Sequence, residues 1–206
     1  MRTLAGAGST VYFAHLSPSS CASMSERFLL DREHDERTEA SNQREKNPAK
    51  QQLLANAEFR TESIQELMKI HRVPLERVCL LDPRAERELS PEDGPQFDWF
   101  LFGGILGDDP PRDRTSELRV LGFPNRHLGP VQMTTDTALG VTKRVVVDQV
   151  PLRSIPYTDH PTIQFNPRES VEMPFRYIAE GEGGEPCMPP GMRALLHEDL
   201  NKSFEF

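Results

Sequence analysis

Two glycine-rich loops, each following an apolar segment, constrain this chain more than any other feature. The first lies within residues 97–114, FDWFLFGGILGDDPPRDR, and the second within residues 126–138, RHLGPVQMTTDTA. Because glycine has no Cβ, its backbone amides approach a ligand more closely than those of other residues. Two such loops in succession predict a protein that folds its backbone around a small polar molecule.

The order of the predicted elements indicates an α/β fold. Apolar and β-branched runs predict strands at residues 10–16, 77–81, 97–102, 126–128, 162–165 and 175–179. Capping residues and helical spacing predict helices that begin at Ser63, Ser90, Thr115, Thr135 and Met192, with the Thr135 helix extending to Val150. This alternation favours a parallel sheet with helices on both faces.

A charged segment interrupts this pattern. Residues 31–50 contain no Val, Ile, Leu, Met or aromatic residue, and eleven of the twenty are charged. Such a segment cannot bury enough surface to offset its ordering entropy. We therefore predict one domain over residues 1–206, a polar, disordered insertion at 31–60 and a C-terminal tail helix within 187–206.

Composition excludes several classes of protein. Acidic residues outnumber basic ones 32 to 24, a net charge of −8, which disfavours an extended nucleic-acid site and suits a basic partner. Cys21, Cys79 and Cys187 form no CxxC pair and the histidines show no ligand spacing, so we expect no disulfide or metal site and a cytoplasmic location. No apolar run is long enough to cross a membrane.

The first glycine-rich loop ends in a charged cluster. Asp108 to Arg114 contain three carboxylates and two guanidiniums within seven residues, and a double proline stiffens the loop as a preformed binding site requires. Its glycines, Gly103, Gly104 and Gly107, match neither the dinucleotide nor the P-loop pattern. The alternative is a tight strand-to-helix turn whose charges pair on the surface and contribute little.

The second loop leads into a helix. Hydroxyl and carboxylate side chains at residues 134–136 stand where such groups usually cap the first backbone amides of a helix. Gln132 and Met133 precede the helix and face the space enclosed by the Gly129 turn. Methionine suits the wall of a site for an adenine or a thioether.

Four segments, taken in order, resemble the SPOUT-type protein arginine methyltransferases. They are residues 80–85 (LLDPRA), 97–119, 126–138 and 171–177 (VEMPFRY). These class IV S-adenosylmethionine enzymes are linked to methylation of a ribosomal protein, and the similarity runs from Val78 to the C-terminus. The resemblance implies a trefoil knot in the C-terminal half and a methyl donor held in a bent form.

The resemblance also implies which residues hold the donor. They lie in three loops that follow strands, at residues 81–84, 102–108 and 128–134. The implied cofactor-binding residues are Leu81, Asp82, Pro83, Phe102, Gly103, Gly104, Ile105, Leu106, Gly107, Leu128, Gly129, Gln132, Met133 and Thr134.

The implied acceptor is an arginine of a basic protein, which we expect to be ribosomal. Carboxylates that grip a guanidinium as a fork can orient one nitrogen and accept its proton. The candidate catalytic residues are Asp108, Asp109, Asp113 and Glu172, with Arg114 beside Asp113 to keep that carboxylate ionised.

Family members usually begin with a further strand and helix before the segment equivalent to residues 10–16. Residues 1–8 resemble the end of that helix, so the resemblance implies a shortened N-terminus. Two alternatives stay open. One is an RNA methyltransferase, against which the acidic balance speaks, and the other is a catalytically silent S-adenosylmethionine-binding protein.

Overall fold

The computed structural model describes residues 1–28, 54–103 and 115–202. Its contacts divide the chain into two compact units, Arg2–Val73 and Pro74–Phe206. The prediction of a single domain over residues 1–206 stays a prediction. Within the described ranges, no helix is both long and apolar enough to span a membrane.

The unit Arg2–Val73 contains a parallel pair of strands. Its elements are α1 (Arg2–Ala5), β1 (Thr10–Phe13), helix α2 over residues 18–28, β2 (Asn56–Phe59) and α3 (Ile64–His71). The predicted capping box of α3 is confirmed, since the Ser63 hydroxyl accepts the Glu66 amide and the Glu66 carboxylate accepts the Ser63 amide.

Strand β2 corrects the end of the predicted disordered insertion at residues 31–60. It pairs with β1 in parallel register, from Thr10 opposite Asn56 to Phe13 opposite Phe59. The rings of Phe13 and Phe59 stack with their centroids 5.1 Å apart. Backbone pairing and this aromatic contact order residues 56–59. The polar sequence that precedes them had led to the prediction that they are disordered. Residues 31–53 of the predicted insertion lie outside the described residues.

The unit Pro74–Phe206 is built on a three-stranded parallel sheet, which confirms the predicted sheet type. The strands are β3 (Val78–Leu81), β4 (Trp99–Phe102) and β5 (Asn125–Arg126), in the order β4-β3-β5. The helices between and after them are α4 (Asp93–Gln96), α5 (Ser116–Arg119) and α6 (Thr135–Val146). Helix α4 begins three residues after Ser90, and α6 ends four residues before the predicted Val150.

The remaining strands are antiparallel. They are β6 (Tyr157–Asp159), β7 (Thr162–Asn166), β8 (Glu169–Glu172), β9 (Arg176–Glu180) and β10 (Glu185–Pro186), followed by helix α7 (Met192–Lys202). One sheet has the order β10-β9-β6, and β7 pairs with β8 as a hairpin. The predicted strands at 162–165 and 175–179 and the final helix are confirmed.

Strand β3 lies at the centre of the core. Cys79 and Leu81 pack with Val141 and Val145 of α6 and with Ile178 of β9. The alternate residues of β3 point to the opposite face and are also fully buried, so both faces of this strand are covered. Burial raises the pKa of the Cys79 thiol to about 12, which keeps it protonated.

A buried ion pair connects β5 to α4. The guanidinium of Arg126 is 2.7 Å from the Asp93 carboxylate, and both side chains are almost completely buried. The same carboxylate accepts the backbone amide of Ser90 at 2.9 Å, and the guanidinium lies over the ring of Phe97. These contacts fix the position of the short strand β5, which has only two residues of its own.

We expect the Asp93→Asn variant to lower the free energy of unfolding by about 3 kcal/mol, because it leaves a buried guanidinium without its anion. Urea denaturation followed by circular dichroism measures this change. Asp98→Asn is the control, since Asp98 pairs with Arg77 at the surface and its loss should leave the curve nearly unchanged. Equal midpoints for wild type and Asp93→Asn would contradict the anchoring role.

Candidate functional site

A cavity opens at the carboxyl ends of the three parallel strands. Its volume is about 390 Å³, within the range of small-molecule sites. The loops that follow β3, β4 and β5 all contribute to its wall. The carboxyl edge of a parallel sheet is where ligands of α/β proteins bind, because the loops that leave neighbouring strands converge there.

The structure brings together most of the described residues that were predicted to hold a cofactor. The predicted residues that line the cavity are Leu81, Asp82, Pro83, Phe102, Gly103, Leu128, Gly129, Gln132 and Met133. Thr134 does not line it, although its neighbour Thr135 does. Glu172 is exposed at the end of β8 and is not part of the lining.

Several predicted site residues lie outside the described part of the chain. They are Gly104, Ile105, Leu106, Gly107, Asp108, Asp109, Asp113 and Arg114. Their roles stay predictions, as do the individual roles of the residues that line the cavity.

The cavity is also lined by residues that the sequence analysis did not name individually for the cofactor. Arg84, Pro130 and Val131 lie in the loops that the resemblance implied, whereas Thr115, Arg119, Thr135 and Ala138 lie outside them and were missed. Thr115 and Arg119 are four positions apart, and Thr135 and Ala138 are three apart, so each pair shares one helix face. Once one member of each pair is known to line the cavity, helical spacing identifies the other.

The turn after β5 depends on a left-handed glycine. Gly129 has φ +94°, and a Cβ added there would have no atom within 4 Å. The glycine is therefore required by backbone conformation, not by crowding. Its amide donates to Nδ1 of His127 at 3.0 Å, and the His127 carbonyl accepts the Leu89 amide at 3.0 Å. These bonds hold the turn in place beside the cavity.

Thr134 caps helix α6. Its hydroxyl accepts the Thr137 amide and donates to the Thr137 hydroxyl at 2.8 Å. The simpler interpretation of this residue, a helix cap, thus accounts for its side chain. Met133, by contrast, is buried in the core and also contributes to the cavity wall.

A buried carboxylate lies in the cavity wall. The Asp82 side chain is fully buried and accepts two bonds from Arg119, from Nε at 2.5 Å and from Nη2 at 2.8 Å. Arg119 Nη2 also donates to the Thr115 hydroxyl at 3.2 Å, and the Arg84 amide donates to Asp82 at 3.0 Å. The pair joins the loop after β3 to helix α5.

The described residues were also searched for a metal site. Among residues 1–28, 54–103 and 115–202, no group of three or more His, Cys, Asp or Glu side chains is placed to hold a metal ion.

A comparison with protein families shows the family of this chain. The model of the family "Protein arginine N-methyltransferase SFM1-like" matches residues 10–203. The chain belongs to this SFM1-like family. The predicted resemblance to protein arginine methyltransferases is therefore confirmed.

Individual members of the SFM1-like family agree with this assignment. Protein arginine N-methyltransferase SFM1 of the yeast Saccharomyces cerevisiae is 50% identical over 133 residues, which are 63% of this chain and 62% of that protein. The chain thus spans less than two thirds of this relative.

Solved SFM1 structures share the mixed α/β fold. The crystal structure of yeast SFM1 complexed with SAM has a TM-score of 0.64 at 42% identity and covers 69% of this chain and 66% of that one. The complex of yeast SFM1 with SAH has a TM-score of 0.62 at 43% identity and covers 68% of this chain and 69% of that one.

We expect Thr134→Ala to lower the free energy of unfolding by about 1 kcal/mol, because α6 loses its N-terminal cap. Thr134→Ser keeps the hydroxyl and is the control. Urea denaturation of both variants measures the difference. If Thr134→Ala unfolds at the same urea concentration as wild type, the Thr134 hydroxyl does not stabilise α6 as a cap. That result would favour its predicted contact with the cofactor.

Proposed function

We propose that this chain transfers a methyl group from S-adenosylmethionine to a guanidinium nitrogen of a protein arginine. The observation that carries the proposal is the cavity at the carboxyl ends of β3, β4 and β5, in a chain of the SFM1-like family. Nine of the residues that the sequence predicted for the cofactor line this one cavity. The SAM and SAH complexes of yeast SFM1 support the same cofactor here.

The lining residues fit such a donor. Apolar side chains offer a wall for an adenine ring and a thioether chain, and two glycines expose backbone groups beside them. The residues that would form these surfaces are Leu81, Phe102, Leu128, Met133 and Ala138, with Gly103 and Gly129. When bound, S-adenosylmethionine supplies an electrophilic methyl group on its sulfonium sulfur.

The protein's own task is to position the acceptor and take its proton. A new C–N bond forms as the C–S bond breaks, the electron pair of the C–S bond stays on sulfur, and the guanidinium nitrogen loses one proton. A carboxylate orients the nitrogen and accepts that proton. Asp108, Asp109 and Asp113 remain candidates for this role. Glu172 is weaker, because it lies outside the cavity lining.

Charge supports a basic protein as acceptor, and we propose a ribosomal protein. The net charge of −8 attracts an arginine-rich partner over a distance of about a Debye length. The three described cysteines are free thiols, which agrees with the proposed cytoplasmic location. The sequence resemblance further supports a SPOUT-type trefoil knot in the C-terminal half.

The Gly129→Ala variant tests the cofactor site. A side chain at φ +94° strains the turn, so we expect S-adenosylmethionine affinity to fall about tenfold or more in calorimetry. Gly122→Ala is the matched control, since Gly122 has φ +81°, equally open space and no place in the lining. It should lose stability and keep its affinity. Equal affinities for both variants would remove the Gly129 turn from the site.

Labelled S-adenosylmethionine tests the acceptor. We expect label on a ribosomal protein, at methylarginine, and transfer that slows as salt rises from about 50 to 300 mM. Label found only in ribosomal RNA would establish the alternative RNA methyltransferase. Tight cofactor binding with no label in either fraction would establish the catalytically silent protein.

A further inference from the structure

We propose that Asp82 binds the guanidinium of the target arginine, and that Arg119 occupies this place until the target displaces it. The inference rests on the proposed function and specifies its acceptor site. Asp82 then contacts the acceptor, and Arg119 occupies the position of the acceptor's guanidinium while no acceptor is bound.

The geometry of the pair is that of a bound arginine. Nε and Nη2 of Arg119 meet the two oxygens of Asp82 at 2.5 and 2.8 Å, the fork arrangement of a guanidinium on a carboxylate. Asp82 is completely buried whereas the Arg119 side chain is 28% exposed, and both line the cavity. The Arg119 side chain thus reaches solvent, whereas the carboxylate does not.

The other forked pairs in the described part of the chain do not line this cavity. Arg77–Asp98 and Arg176–Asp159 lie at the surface, with exposed carboxylates. Asp93 and Arg126 are closed into the core. Among the described residues that line the cavity, Asp82 is the only carboxylate. An incoming arginine finds in Asp82 an anionic partner of matching shape.

Exchange of one guanidinium for another avoids the main cost of opening the pair. Departure of Arg119 alone would remove the guanidinium from a buried carboxylate, which is strongly unfavourable. Arrival of a second guanidinium restores both bonds. A lysine ammonium is a point charge and cannot reproduce the fork, so the same exchange selects arginine over lysine.

The position of Arg119 allows this movement. It is the last residue of α5, a helix of four residues none of which is buried. The next residue, Val120, is 83% exposed, and the chain then turns at Gly122 with φ +81°. Rotation of the Arg119 side chain into solvent therefore moves no buried residue of α5.

A binding experiment on the wild-type protein tests the exchange. Ethylguanidinium, a truncated arginine side chain, is added up to about 100 mM to protein labelled with 15N, and ethylammonium serves as the salt control. We expect ethylguanidinium alone to shift the Nε–H signal of Arg119. The signal of Arg77, which pairs with Asp98 at the other end of β3, should stay unchanged. The variants Arg119→Lys and Arg77→Lys assign the two signals.

Steady-state kinetics with the acceptor protein as substrate provide a second readout. Arg119→Lys weakens the internal competitor, so the KM for the acceptor should fall about fivefold with kcat maintained. Arg77→Lys should change neither constant. Asp82→Asn should reduce methyl transfer by about 100-fold at saturating S-adenosylmethionine.

The outcomes separate this inference from the function on which it rests. If the wild-type protein methylates arginine but ethylguanidinium leaves the Arg119 Nε–H signal unshifted, the inference alone is overturned. A KM that rises in Arg119→Lys also overturns the inference, because that result means that the Asp82–Arg119 pair stabilises the site and does not compete with the acceptor. Failure of the wild-type protein to bind S-adenosylmethionine overturns the proposed function and this inference together.

Discussion

The buried ion pair between Arg126 and Asp93 determines where the cavity can form. Arg126 is the last residue of β5, and its carbonyl accepts the Asp82 amide at 2.9 Å. Its side chain is held by Asp93 while its backbone aligns with Leu81 of β3. Both the loop that begins at Asp82 and the turn at Gly129 therefore start from one anchored residue. A two-residue strand holds this position because its cation is buried with a partner.

The chain uses the same chemical pair for two different purposes. Asp93 and Asp82 are both buried carboxylates that bind a guanidinium through two or more bonds. The first pair is sealed by the core, so its exchange would expose two charges to an apolar interior. The second opens on a cavity, where water or another guanidinium can replace a departing partner. Location, not bond geometry, decides which pair is fixed and which can exchange.

The sequence predicted the elements whose signals are local. Apolar runs located β3 and β4, and the Ser63 capping box located α3, because neighbouring residues determine such elements. Strands β6, β8 and β10 were missed, since each is short and polar and is ordered by pairing with another strand. The Asp82–Arg119 bond was missed because its partners are 37 positions apart, and no periodicity relates them. The glycines of the loops could be predicted from the sequence, whereas the pairing of Asp82 with Arg119 beside them could not.

Attraction and selectivity are separated in this molecule. The whole chain is acidic, yet the described side chains that line the cavity include two guanidiniums, Arg84 and Arg119, and one carboxylate. The net charge can therefore bring a basic protein close without holding any particular arginine in the cavity. Selectivity requires a partner that recognises the planar fork of a guanidinium, and a carboxylate already paired with such a fork has that shape before the acceptor arrives. In the proposed exchange the acceptor competes with Arg119, so a guanidinium stays paired with the Asp82 carboxylate throughout.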